Sequence, residues 1–412
     1  MSQYTLFRVY LSGLTPMDVA SRPMKTRVRI PIVIALALVA AACGGSDAIA
    51  NTSEAEGGAE TVEAVATAEP APTEAQVAGE SDPAPTDVPT PAPTEEPTEE
   101  PTDTAEQSDE PAAVAGSALT SGCGAGTVAG ITTATFEFEG VERVYEQVVP
   151  ASYDDSSPSP VVLNWHGLGS NGVEQVGFSD YAALAETEGF IVIAATGLPD
   201  DADRNSWELT AEQFPERDDL AFANALLDRV IETLCADASR VYTTGMSNGG
   251  YFSSVLVCEM SDRIAAAASV AALSRADDCD PARVVPYIGF HGTNDEVVPF
   301  DGSGESSLAP GVIVPLFQLK ILDEFTEFAV QAGCDADPAV AEFSPEVTSY
   351  DFANCADGAS VTFYEIEGGG HTWPGSTVSL ALSEALGLGA TTDEINASET
   401  SWAFFEQYAL DS

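Results

Sequence analysis

Positive charge is what this chain lacks. Its 412 residues hold 14 Lys and Arg against 66 Asp and Glu, a formal net charge of −52. A phosphate backbone needs a basic footprint, so nucleic acid is excluded as a partner. Electrostatic docking on an anionic lipid surface is excluded on the same ground. Histidine is nearly as scarce, with three in all, which makes the search for a catalytic base short. The seven Cys include no CxxC and no Cys/His metal spacing, so zinc is not expected. No Asp cluster has EF-hand spacing, and neither a metal nor a cofactor is expected. The apolar content of 44% is ordinary for a globular protein, so a core can form.

The acidity is unevenly spread and divides the chain into three zones. Met24 to Arg29 is a basic stretch, followed by the apolar run 30–42, broken only by Pro31. Thirteen residues are short for a membrane span and fit a secretory signal peptide over residues 1–43, with translation expected from Met24. The string Ala40-Ala41-Ala42-Cys43 resembles the lipobox of a bacterial lipoprotein. That resemblance implies a lipid on Cys43 and tethering to the outer face of a bacterial membrane, the only membrane contact expected. Ordinary cleavage, with Cys43 left as an odd thiol, is the alternative. Residues 44–118 carry 18 acidic residues, no Lys or Arg and no aromatic, in Pro-Thr-Glu-like units. Such a segment cannot bury enough surface to offset chain entropy, so a disordered, extended acidic linker is expected.

Residues 119–412 form the expected folded domain, with 47 acidic and 9 basic residues, Lys320 being the one lysine. So acidic a surface suits high salt, where self-repulsion is screened. Six Cys lie here: Cys123, Cys235, Cys258, Cys279, Cys334 and Cys355. An even number behind a signal peptide implies disulfides, of which 15 connectivities are possible. Short loops favour Cys258–Cys279 and Cys334–Cys355, leaving Cys123–Cys235 to tie down the domain's N-terminus.

Apolar runs at 161–165, 190–194, 240–244, 284–290 and 361–366 read as strands, and 264–272 is a further apolar run. Helical spacing marks 219–234, 249–260, 319–332 and 397–408. Alternating strands and helices predict an α/β fold with a mostly parallel sheet covered on both faces. In such sheets the active site lies at the carboxyl ends of the strands.

The motif Gly245-Met246-Ser247-Asn248-Gly249-Gly250 follows one of these strands and precedes a helix. That setting makes it a nucleophile elbow, with Ser247 lifted above the sheet. A serine hydroxyl needs a base. His371, in Gly368-Gly369-Gly370-His371-Thr372-Trp373-Pro374-Gly375, lies after the last strand in a loop whose glycines suggest flexibility, and suits that role. His166 and His291 fit structural roles, bonded to backbone. Asp295, in His291-Gly292-Thr293-Asn294-Asp295, follows a strand between the serine and the histidine, with Asp301 and Glu296 as local competitors. The order Ser247, Asp295, His371 is that of α/β-hydrolase triads. The loop from His166 to Ser170 stands where an oxyanion-hole loop belongs, so the amides of Leu168 and Asn248 are the candidate donors. Trp207 and Trp373 are candidates to line a substrate pocket, core packing being the alternative.

Together, His166-Gly167, Arg240-Val241-Tyr242 running into the Ser247 motif, His291-Gly292-Thr293-x-Asp295 and Gly370-His371-Thr372-Trp373-Pro374-Gly375 resemble the poly(3-hydroxybutyrate) depolymerase-like esterases, a family that includes feruloyl and acetylxylan esterases. The resemblance spans about residues 121–409. It implies an α/β-hydrolase fold, a Ser247-Asp295-His371 triad and a Cys334–Cys355 bridge. The expected activity is a secreted or surface-anchored serine carboxylic-ester hydrolase, monomeric and free of cofactors. Its substrates would be hydroxyalkanoate oligomers, feruloyl esters or acetyl esters. Ser412 ends the sequence soon after the last expected helix, with no separate polymer-binding segment, which favours soluble oligomeric, aryl or acetyl esters. A serine peptidase of the same fold and a non-catalytic surface-binding protein are the competing readings.

Overall fold

The computed structural model describes residues 122–411, apart from 211, 212, 215, 274–278, 308–310 and 312. The signal segment, Cys43 and the acidic linker lie outside the described residues. In chain order the domain runs β1 (Gly130–Phe138), β2 (Val141–Val149), β3 (Ser159–Trp165), α1 (Gly172–Ser179), α2 (Tyr181–Glu188), β4 (Ile191–Ala195), β5 (Leu198–Pro199), β6 (Asn205–Ser206), α3 (Asp219–Thr233), β7 (Ala236–Gly245), α4 (Asn248–Glu259), β8 (Ala266–Val270) and β9 (Tyr287–Gly292). It continues with α5 (Ile321–Gln331), β10 (Ala339–Ser344), β11 (Val347–Phe352), β12 (Val361–Ile366), α6 (Thr377–Leu382) and α7 (Ala397–Phe405).

Ten strands make one sheet in the order β1-β2-β4-β3-β7-β8-β9-β12-β11-β10. The six central strands, β4 to β12, pair in parallel. An antiparallel hairpin closes each edge. The first hairpin turns on Glu139 and Gly140, both at positive φ (50° and 81°), a turn whose twist matches that of the flanking strands.

Central parallel strands are buried on both faces, which is why they read as unbroken apolar runs rather than alternating ones. Period two still sorts their side chains between two cores. Val161, Leu163 and Trp165 of β3 join Ile191 and Ile193 of β4 on one face, with Phe222 of α3, Phe252 of α4 and Phe325 of α5. Val162 and Val192 point to the other face, with Tyr181 of α2, Trp402 and Phe405 of α7, and Trp373. The expected α/β class therefore holds. Helices α5 and α7 are shorter than their apolar patterns suggest, and apolar periodicity does not reveal α1, α2 or the two edge hairpins.

All three disulfides take the pairing that loop length favours: Cys123–Cys235, Cys258–Cys279 and Cys334–Cys355. Closing loops of this size removes roughly 3–5 kcal/mol of chain entropy from the unfolded state per bridge. Among the described residues no helix is long and apolar enough to cross a membrane.

Candidate active site

Parallel strands place their carboxyl ends at one edge of the sheet. Four of the loops leaving that edge carry the residues singled out in the sequence. Ser247 follows β7, Asp295 follows β9, His371 follows β12, and His166 to Ser170 follow β3. Backbone hydrogen bonds stitch these loops together. The Ser247 amide donates to Val270 O at 2.9 Å, Thr293 N to Ile366 O at 2.9 Å, and Asn294 N to Gly369 O at 2.8 Å.

The elbow is strained as well as tight. Ser247 has φ 55° and ψ −121°, a region that non-glycine residues rarely enter and that is held only where the surroundings over-determine it. Glycine is required on either side. A Cβ on Gly245 would strike Gly249 O and Trp165 O, and one on Gly249 would strike Trp165 O and His166 O. The loop after β3 thus lies against the elbow, with the Cβ position of Gly167 3.5 Å from Ser247 Cβ.

Asp295 and His371 meet directly. His371 Nδ1 donates to Asp295 Oδ2 at 2.8 Å, and both side chains are buried. Asp295 Oδ1 accepts from the amides of Val297 and Val298, each at 2.8 Å. Burial alone would raise this carboxyl, but the imidazoles of His371 and His291 more than offset it and hold it well below the usual carboxylate range. Neither competitor reaches the histidine. Asp301 accepts from Ser303 N at 2.9 Å, and no hydrogen bond from Glu296 to His371 occurs among the described residues. Nor does a Ser247–His371 hydrogen bond occur among them; in unliganded sites that bond is commonly long and tightens with substrate.

Gly369 and Gly370 serve close approach rather than flexibility, which corrects the sequence expectation, while Gly368 supplies a positive φ of 71°. A Cβ on Gly370 would strike Leu388 O, and one on Gly292 would strike Gly369 O. Gly370 N donates to Ala390 O at 2.8 Å and His371 N to Leu388 O at 2.7 Å, so the loop is pinned.

The two candidate oxyanion donors lie in the residue after the serine and in the loop packed against it. Asn248 opens α4, where helix geometry leaves the first amides without acceptors and favours developing negative charge. In the facing loop, Gly169 N is spent on Asn205 O at 2.7 Å and Ser170 N on Gly167 O at 3.1 Å, whereas Leu168 N has no such backbone acceptor among the described residues.

Neither tryptophan lines a pocket. Both are fully buried, so they have no surface to offer a ligand, and the expectation for Trp207 and Trp373 is corrected to packing. Trp373 anchors the His371 loop, its indole N–H donating to Ser398 Oγ at 2.9 Å. Trp207 fastens two loops at once. Its indole N–H donates to His166 O at 3.1 Å, and its backbone exchanges two bonds with the Asn248 side chain, at 2.7 and 3.2 Å.

Sequence reading does not reveal this clamp, nor the buried ion cluster beneath it. Asp219 is fully buried, 3.2 Å from Arg143 and 3.1 Å from Arg217. Arg217 in turn donates to Leu198 O and Ser206 O, both at 2.9 Å, tying down the chain before Trp207. The one available signal is scarcity: an Arg in so acidic a domain is worth placing.

His166 is structural, as expected. Gly197 N donates to its Nε2 at 2.9 Å, so the ring proton sits on Nδ1 and is given to Gly167 O at 2.7 Å. Burial lowers this imidazole to about 4. The unfolded chain, with a histidine near 6.5, therefore binds the extra proton first as pH falls. Stability contributed by neutral His166 is present above about pH 6.5 and is lost between there and about pH 4, roughly 3 kcal/mol at most. Urea unfolding at pH 7 and pH 4.5 is expected to show that loss, and His166→Gln is expected to flatten it.

No family model matches the chain. Individual proteins do. Feruloyl esterase B of Piromyces equi is 28% identical over 227 residues, 54% of this chain and 41% of that protein. This chain thus spans less than half the length of that relative. Feruloyl esterase D of Neurospora crassa is 26% identical over 275 residues, 63% of this chain and 84% of that protein. Among solved structures, the acetyl xylan esterase from Aspergillus awamori aligns with a TM-score of 0.43 and 19% identity, over 63% of this chain and all of that one. The chain is thus similar in sequence to feruloyl esterases, and it carries a strained serine elbow at the carboxyl end of a central strand in a mostly parallel α/β sheet with hairpins at both edges.

Proposed function

We propose that this protein is a serine carboxylic-ester hydrolase with Ser247 as nucleophile, His371 as general base and Asp295 as the acid that orients it. The observation that carries the reading is the buried 2.8 Å Asp295–His371 hydrogen bond on the sheet edge that also bears the strained Ser247. Ser247 Oγ attacks the ester carbonyl as His371 Nε2 takes its proton. Asp295, ionised and buried, stabilises the imidazolium. The amides of Asn248 and Leu168 hold the tetrahedral oxyanion. Collapse expels the alcohol, which takes the proton from His371. Water, deprotonated by the same nitrogen, then cleaves the acyl-enzyme.

Feruloyl esters are the substrates that the relatives' names favour, and acetyl esters and hydroxyalkanoate oligomers those that the resemblance in motif adds. Three disulfides support folding in an oxidising compartment, consistent with export and with a lipid on Cys43. The enzyme acts as a monomer in this reading.

A panel of methyl ferulate, p-nitrophenyl acetate and butyrate, acetylated xylan and hydroxybutyrate oligomers, with the full chain at low and high salt, tests the assignment. Turnover of at least one ester is expected, with methyl ferulate or an acetyl ester preferred. Casein cleavage without ester turnover would transfer the assignment to a peptidase. Inactivity of folded protein on every substrate would overturn it.

A further inference from the structure

We propose that His291 is a positioning residue for the triad acid, its Nε2–H shared between the Asp295 carboxylate and the backbone of the turn that carries Asp295; this rests on the catalytic reading above. His291 is the penultimate residue of β9, four positions before Asp295, and its side chain is 1% exposed. Its Nε2 lies 2.9 Å from Val298 O and 3.3 Å from Asp295 Oδ2. Its Nδ1 is buried with no hydrogen-bond partner. Two acceptors face one nitrogen and nothing faces the other, so a neutral ring must carry its proton on Nε2.

The geometry is more than cavity filling. Asp295 Oδ1 is fixed by the Val297 and Val298 amides, while Oδ2 receives His371. His291 supplies a second donor to that same oxygen and also bonds the carbonyl of Val298, the residue whose amide holds Oδ1. One imidazole thereby braces the carboxylate and its turn together against the end of the sheet. Without it, Oδ2 keeps a lone pair that no donor meets, and the carboxylate is freer to rotate away from His371. In the conformers that keep the His371 contact, the negative charge left on Oδ2 falls more fully on His371, making that base stronger.

No other side-chain donor to Oδ2 occurs among the described residues. Tyr251 of α4 feels the Asp295 charge, which after burial pushes its hydroxyl up, but it makes no hydrogen bond to Asp295 among the described residues. Glu324 of α5 acts on Tyr251 in the same sense. Glu296, Asp301 and Glu305 line the cavity beside Asp295 and bring acceptors, not donors. All of these are common to the variants compared below, so the comparison isolates the N–H.

The test uses full-length His291→Leu and His291→Gln, the latter restoring an N–H at similar reach. A misplacement on the order of 1 Å costs about 100-fold, so the leucine variant is expected to lose roughly 10- to 100-fold in kcat with KM nearly unchanged. The acid limb of its kcat/KM profile is expected to move to higher pH, as a stronger His371 base requires. The glutamine variant is expected to recover most of kcat and the wild-type limb. Equal impairment of both variants, or a folded leucine variant with unaltered kcat and limb, would overturn the proposal. Should the leucine variant not fold, the glutamine variant decides alone: kcat close to wild type supports the donor role, and a loss of about 100-fold refutes it. Activity persisting in Ser247→Ala would instead remove the catalytic reading itself, whatever the His291 variants do.

Discussion

Ser247→Ala is expected to lower kcat for the best ester by about 10⁴-fold or more, with KM within a few-fold of wild type. The alcohol is both raised on an elbow and backed by a helix N-terminus. Removing its oxygen removes the covalent route and leaves only what the amides of Asn248 and Leu168 contribute to direct attack by water. Alanine keeps the Cβ that packs beside Gly167, so the melting temperature should stay within a few degrees. The backbone at φ 55° is as strained for alanine as for serine, so no stability should be gained by relaxation. Steady-state kinetics beside a thermal melt separate loss of chemistry from loss of fold.

Asp295→Asn is expected to cost about 10⁴-fold in kcat for a different reason, a misassigned proton. The asparagine oxygen can keep the bonds from Val297 N and Val298 N that Oδ1 now accepts. Its amide nitrogen then occupies the Oδ2 position, where both His371 Nδ1–H and His291 Nε2–H point. Donors would face donors. His371 must then move its proton to Nε2, which leaves no free nitrogen to receive the proton of Ser247. The substitution also removes a titration. Because the folded carboxyl is held far below its unfolded value near 3.9, ionised Asp295 contributes stability above about pH 4 that is lost as pH falls further. Asp295→Asn should therefore show a flatter stability curve below about pH 4. That window lies beneath the one set by His166, so urea titrations can distinguish the two groups.

The fold was legible where burial was complete. Runs such as Val161 to Trp165 and Ile191 to Ala194 are apolar because both faces of the sheet are covered, and no alternation had to be resolved. The edges were not legible. Strand β10 is almost wholly exposed, so its sequence carries no core pattern, and β1 is exposed at most positions. Helices α1 and α2 are eight residues each and split by Asp180 at φ 57°, too short to repeat an apolar stripe.

The site was legible at Ser247 because an elbow imposes glycines at fixed offsets. His371 and Asp295 followed from chain order and from there being only three histidines. Contacts between distant loops are not legible in the sequence: the Trp207–Asn248 clamp, the Arg217–Asp219–Arg143 cluster and the second histidine beside Asp295. The hydrogen-bond partners of a buried polar group depend on how distant loops meet, and neither composition nor period records that. The tryptophans misled for a related reason. Their size suits a pocket wall as well as a core, and only burial tells the two apart.

Intact-protein mass spectrometry after treatment with phenylmethanesulfonyl fluoride, with peptide mapping of the adduct, addresses the role of Ser247 most directly. One sulfonyl group on Ser247, formed in step with loss of esterase activity and absent from Ser247→Ala, is the expected result. An enzyme fully inhibited with its adduct on another residue, or active on esters while Ser247→Ala is equally active, would contradict the nucleophile assignment.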